Sequence, residues 1–150
     1  MFLFRGYVSP DRSYIVDNFG EKGNFRFVIA PDDTPYACTC ATCTALGNTE
    51  KNATPAVTEL ILRLSQRFPK HTFFTTSYLT TQQVTDKQLP PNVGVIVSAI
   101  DYPLRRTDGK DEQDKKFAEQ LDNWKKVTNN IYIWDYINNF DDYLTSFPLY

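Results

Sequence analysis

With a single histidine in 150 residues, the chain has little material for imidazole chemistry. A Ser-His-Asp or Cys-His mechanism would have to use His71, and no His-rich metal motif is present. There is no Gly-rich phosphate loop and no nucleophile elbow of the Gly-x-Ser-x-Gly kind. No stretch reaches the roughly 18 apolar residues that a membrane helix needs. The opening Met1-Phe2-Leu3-Phe4-Arg5-Gly6 is too short in apolar content for the core of a secretory signal, so no targeting signal is visible in the numbered chain. The net charge is -2, and no run of Lys and Arg forms a basic stripe. Nucleic acid and membrane are therefore not expected partners. Neither an internal repeat nor a low-complexity tract interrupts the pattern.

What is present suits one globular domain. Apolar residues make up 41% and aromatics 15% of the chain, enough to bury a core. Residues 1–24 mix aromatics with Gly6, Pro10 and Gly20 and are expected to form an irregular lead-in or edge strands. Residues 25–150 carry the regular pattern. Phe25-Arg26-Phe27-Val28-Ile29-Ala30 reads as a strand closed by Pro31. A long polar loop follows, as far as Asn52. Thr54 is positioned as an N-cap with Pro55 at the first helical position, and Val57, Leu60, Ile61, Leu64 and Phe68 recur at helical spacing up to Pro69.

Thr72-Phe73-Phe74-Thr75-Thr76-Ser77-Tyr78 is rich in β-branched and aromatic residues, as strands are. After a polar linker with Pro90-Pro91, Val93-Gly94-Val95-Ile96-Val97-Ser98-Ala99-Ile100 is a near-continuous apolar run, the mark of a strand covered on both faces. A charged loop leads to a second helix with Phe117, Leu121 and Trp124 on its apolar face, ended by Asn129-Asn130. The last strand is Ile131-Tyr132-Ile133-Trp134, which breaks into Asp135, Tyr136, Asn138 and Asn139. This order predicts an α/β fold with a mostly parallel sheet and flanking helices. A closed eight-stranded barrel takes roughly 250 residues, so the chain is expected to be part of a (β/α) barrel or a smaller open sheet.

Parallel strands deliver their C-terminal ends to one shared rim, and that rim carries the function in such folds. The candidate catalytic carboxylates there are Asp32, Asp33, Asp101 and Asp135, and the candidate substrate contacts are Tyr78, Trp134, Tyr136 and Asn139. Two facing carboxylates would suit general acid and base work on a glycosidic bond, with aromatic faces stacking on sugar rings. The competing reading is that Asp and Asn follow strands as turn formers and helix caps, with Trp134 packed in the core.

The three cysteines, Cys38, Cys40 and Cys43, fall in one six-residue stretch and cannot staple distant parts of the chain. They can be read as three metal thiolates lacking a fourth ligand, as a local disulfide beside a free thiol, or as reduced loop cysteines. No cofactor is expected, zinc on these thiols being the alternative. His71 falls at the start of the second strand, at the end opposite the rim, and is a poor fourth ligand. The triplet Asn52-Ala53-Thr54 is a formal glycosylation sequon of a kind common by chance.

Two patterns carry a family resemblance. The first is Ile29-Ala30-Pro31-Asp32-Asp33 through Cys38-x-Cys40-x-x-Cys43-x-Ala45-Leu46. The second is Ile131-Tyr132-Ile133-Trp134-Asp135-Tyr136-x-x-Asn139-Phe140-x-x-Tyr143-Leu144, closing with Phe147-Pro148. On these, residues 25–150 resemble a domain of unknown function, number 4838, of bacterial proteins associated with carbohydrate processing. The resemblance implies a glycoside-hydrolase-like barrel in a longer, often secreted or periplasmic protein, with poly- or oligosaccharide as the substrate class. It brings no established catalytic residues, so the rim residues above stand on their own reading. It also implies a barrel continuing beyond Tyr150 and an isolated chain without activity. A partial barrel exposes an open sheet edge and apolar helix faces, so the chain is expected to self-associate. The alternative is a noncatalytic carbohydrate-binding or assembly module.

Overall fold

The computed structural model describes residues 23–100, 102 and 112–135. Asp101, Tyr136, Asn139 and nearly all of the expected lead-in lie outside the described residues. Four strands, β1 (Arg26–Val28), β2 (Thr72–Ser77), β3 (Val93–Ser98) and β4 (Ile131–Trp134), form one sheet in the order β1-β2-β3-β4. Every neighbouring pair is parallel, with Phe27 opposite Phe73, Thr75 opposite Val95 and Val97 opposite Ile133. The mostly parallel α/β expectation therefore holds, and all four C-terminal strand ends lie along one edge.

Helix α1 (Ala41–Ala45) follows β1, α2 (Thr54–Arg67) precedes β2, and α3 (Glu112–Lys125) precedes β4. The β2–β3 connection holds a single 3-10 turn, Leu79–Thr81. Among the described residues no helix is long and apolar enough to cross a membrane.

Both long helices cover the same sheet face. Strand alternation and register put Phe27, Phe73, Thr75, Ser77, Val93, Val95 and Val97 on one side. Ile61, Leu64 and Phe68 of the α2 region pack with Ile29, Phe73 and Val93, with Val57 and Leu60 at the margin. Phe117 and Trp124 of α3 pack with Val95, Val97 and Ala99. The indole Nε1 of Trp124 donates to Ser77 Oγ at 3.0 Å in the buried layer, and Gln120 Nε2 donates to the same oxygen at 2.9 Å. Among the described residues, sequential parallel strands carry both long helices on one face, as neighbouring strands of a (β/α) barrel do. A doubly wound sheet puts helices on both faces.

The opposite face is tight at its centre. Phe74 and Tyr132 meet edge to face, 5.2 Å between centroids, over Gly94. A Cβ at Gly94 would collide with the Asn130 carbonyl oxygen and lie 2.7 Å from Phe74 Cε1. Only a residue without a side chain fits there.

Local details differ from the expected ones. Helix α2 begins at Thr54, with Ala53 as its N-cap. The capping role passes to asparagines upstream: Thr54 N–H donates to Asn52 Oδ1 at 3.0 Å and Ala56 N–H to Asn48 Oδ1 at 3.0 Å. Pro55, between them, has no N–H to satisfy. The Thr54 hydroxyl instead donates to the Gln83 carbonyl at 2.9 Å. In β4, Tyr132 is 46% and Ile133 53% exposed. It has one neighbour among the described residues, which leaves it less covered than its apolar composition implies.

Candidate functional site

His71 is where the pattern placed it, at the end of the sheet away from the C-terminal edge. It is 1% exposed, and its ring lies 5.5 to 6.0 Å from those of Phe25, Phe27 and Phe68. Its Nδ1 accepts from the Phe25 N–H at 3.4 Å. It is a core residue, remote from the thiols.

The C-terminal edge is more eventful. Ile29 still donates to the Phe74 carbonyl at 2.7 Å, after which Pro31 turns the chain out of the sheet. The loop that follows is closed at its base by Ala37 N–H donating to the Glu50 carbonyl at 2.7 Å. Within it Cys38 lies in irregular chain, Cys40 caps α1, and Cys43 lies one turn along. Residues three apart share a helix face, so Cys40 and Cys43 project together and Cys38 joins them from the segment before α1. All three Sγ atoms lie within 4.8 Å of one another, and all three cysteines are free thiols.

Asn48, 6% exposed, holds this arrangement in place. Its Nδ2 donates to the Cys38 carbonyl at 3.2 Å, its backbone N–H to the Cys43 carbonyl at 3.0 Å, and its Oδ1 accepts from Ala56 at the start of α2. One side chain thus ties the cysteine loop to the helix behind it. Gly47, at φ +106, ends α1 in the left-handed region that favours glycine.

A cavity of about 480 Å³ opens between the end of β1, this loop and α2. Ile29, Pro31, Leu46, Val57 and Leu60 make its apolar wall; Asp32, Asn48, Glu59, Arg63 and the three cysteines bring polar groups, and Tyr36, 65% exposed, lies on its lining. Glu59 accepts from Arg63 Nε at 2.7 Å and from Lys87 Nζ at 2.9 Å. These bonds hold its carboxyl below the ordinary value. Burial, reinforced by the neighbouring thiols, pushes the Cys43 thiol up to about 12. Cys40 is shifted down, chiefly by a hydrogen bond from the Cys43 backbone N–H.

Further along the same edge, the Tyr78 and Trp134 rings meet edge to face at 6.0 Å. Tyr78 directly follows β2 and Trp134 ends β4, so the pair bridges the end of β3. Leu79, immediately after, sits at φ +47, a conformation costing about 1 to 3 kcal/mol for a residue with a side chain. The Ser77 hydroxyl is committed to the Trp124 and Gln120 contacts already described.

Of the candidate residues, Asp32 lines the cavity. Asp33 is exposed in the loop after β1, and Asp135 is exposed directly after β4. Trp134 is half-buried, outside both core clusters, and partners Tyr78. The structure thus gathers two groups, Asp32 with the thiols and Tyr78 with Trp134. Tyr36, Asn48, Glu59 and Arg63 were not foreseen. Glu59 and Arg63, four apart on a helix, have the spacing of an ordinary surface ion pair, and Asn48 precedes α2 by too many residues for a capping pattern.

The model of a family described as a domain of unknown function, DUF4838, matches residues 15–150, and the chain belongs to that family. No curated protein and no solved structure matches the chain.

Proposed function

We propose that this member of the DUF4838 family supplies part of a carbohydrate-active surface, with an oligosaccharide lying over the C-terminal edge of the sheet and one sugar unit entering the cavity beside Asp32. The observation that carries this reading is the cavity itself. About 480 Å³ is within the range of small-ligand sites, roughly 300 to 1,000 Å³. Its apolar wall, carboxylates, guanidinium and exposed tyrosine are the groups that hold a ring rich in hydroxyls. Tyr78 and Trp134 add an aromatic platform along the same edge.

One-sided helices on a sequential parallel sheet support a glycoside-hydrolase-like barrel as the parent architecture. Within the cavity, however, binding is better supported than turnover. A general acid must keep its proton near neutral pH, which takes a raised pKa. Glu59 is shifted the other way by Lys87 and Arg63, so it serves as a hydrogen-bond acceptor for hydroxyls. Hydrolysis would need a second carboxylate from the rim, Asp135 or Asp101 opposite Asp32, about 5 to 10 Å away. The cofactor compatible with this reading is a zinc ion on the cysteine thiols. A second copy of the chain is the proposed protein partner, pairing at an open strand edge.

A glycan array probed with the intact chain, beside a glycosidase screen of the chain and a longer form, tests the reading. Retention of a defined set of glycans, lost in Asp32→Ala and Tyr36→Ala, is the expected result. An array blank for the folded chain would overturn it.

A further inference from the structure

Cys38, Cys40 and Cys43 line the cavity wall, and saccharide binding gives them no task. We propose that they form a binding site for one zinc ion, with three thiolate ligands and a fourth coordination position open to the cavity. The site stands apart from the carbohydrate reading and does not depend on it.

Three sulfurs bound at about 2.3 Å to one tetrahedral zinc lie about 3.8 Å from one another. Here the Sγ atoms are already within 4.8 Å, so side-chain rotation closes the gap with the backbone in place. That backbone is held by other groups. The Cys38 carbonyl accepts from Asn48 Nδ2, the Cys40 carbonyl from Thr44 N–H at 2.9 Å, and the Cys43 carbonyl from Asn48 N–H and Leu46 N–H. Thr44 Oγ1 also donates to the Thr39 carbonyl at 3.2 Å. The loop is therefore fixed by its main chain, and the thiols are left to bind. A disulfide would use two of the three sulfurs and strand the third, whereas one soft cation uses all of them.

The fourth ligand is not a protein nitrogen or sulfur among the described residues. His71 is packed among phenylalanines at the far end of the sheet, and the cluster contains three cysteines alone. Because all three also line the cavity, the free position faces the space where a ligand would sit, as in zinc sites that keep an exchangeable water. A water molecule or an oxygen of a cavity ligand completes the tetrahedron.

The test uses the full chain, reduced, freed of metal by chelation, and titrated with Zn²⁺ alone under native mass spectrometry and chelator competition. Co²⁺ serves as the spectroscopic probe. The expected result is one ion per chain, with Co²⁺ giving thiolate charge-transfer and tetrahedral visible bands. Cys38→Ser and Cys40→Ser replace exposed side chains and should leave the circular dichroism unchanged. Each should weaken zinc by more than about 100-fold, since losing an outer-sphere partner alone costs 10- to 100-fold. Failure of the reduced chain to take up one equivalent, or unchanged affinity in both folded serine variants, overturns the proposal.

Discussion

Replacing Asn48 with alanine tests whether one buried amide organises both the cysteine loop and the start of α2. The substitution removes two side-chain hydrogen bonds, to the Cys38 carbonyl at 3.2 Å and from the Ala56 N–H at 3.0 Å. The Cys38 carbonyl belongs to an exposed residue and can turn to water. The Ala56 N–H belongs to a half-buried residue in the first turn of α2, where no intrahelical acceptor exists. Loss of a capping acceptor costs about 1 kcal/mol and loss of the second bond about another 1 kcal/mol. The expected destabilisation is therefore about 2 kcal/mol, a fall in Tm of roughly 4 to 8 °C. Asn48→Asp keeps an acceptor for Ala56 and puts its charge at a helix N-terminus, where it is favourable. It removes the donor to Cys38. It should therefore recover most of the thermal stability while the thiols of both variants react faster with a disulfide reagent than those of the parent. Thermal denaturation alongside thiol-reaction rates measures both effects. An alanine variant within 0.5 kcal/mol of the parent, or one whose thiols react no faster, would refute the assigned role.

Other outcomes follow from particular contacts. Gly94→Ala places a methyl group against the Asn130 carbonyl and the Phe74 ring and should cost about 3 kcal/mol in urea unfolding; a near-neutral result would mean that β3 and β4 separate easily. Glu59→Gln removes a partly exposed ion pair with Lys87 and Arg63, worth roughly 0.5 kcal/mol. The folded-state pKa of Glu59 is depressed from 4.5, so its stabilisation is present above that value and is lost as the pH falls through the lower folded value. Parent and variant should thus differ at neutral pH and converge in acid, and an equal gap at both pH values would falsify the assignment. Light scattering should find dimers or larger species at high concentration, and Ile133→Lys, at a half-exposed edge position, should restore the monomer. A parent chain that stays monomeric throughout removes the edge-pairing proposal.

The sheet was legible because its residues obey simple periodicities. Residues 93–98 of the apolar run became the buried inner strand β3, and the helical spacing of Ile61, Leu64 and Phe68 became the α2 contact with Phe73 of β2 and Val93 of β3. The position of His71 at the far end followed from strand direction alone. What pattern could not give was which loops meet. Tyr78 and Trp134 are 56 positions apart in sequence and touch because β2 and β4 flank β3. The cysteine loop looked featureless since α1 is only five residues long and buries none of them. Its order comes from Asn48 and from backbone pairing with residue 50, contacts that leave no periodic trace. Thr54 has the composition of a cap yet serves as the first helical residue, because Asn52 and Asn48 reach the orphan donors from farther upstream.

Saccharide recognition at the cavity is tested most directly by an amide NMR titration of the folded chain with a panel of oligosaccharides. The expected result is saturable shifts confined to the end of β1 near Asp32, the loop through Tyr36 and the Glu59–Arg63 face of α2, abolished by Asp32→Ala. A panel that moves none of these resonances, or moves only residues at the His71 end of the sheet, would contradict it.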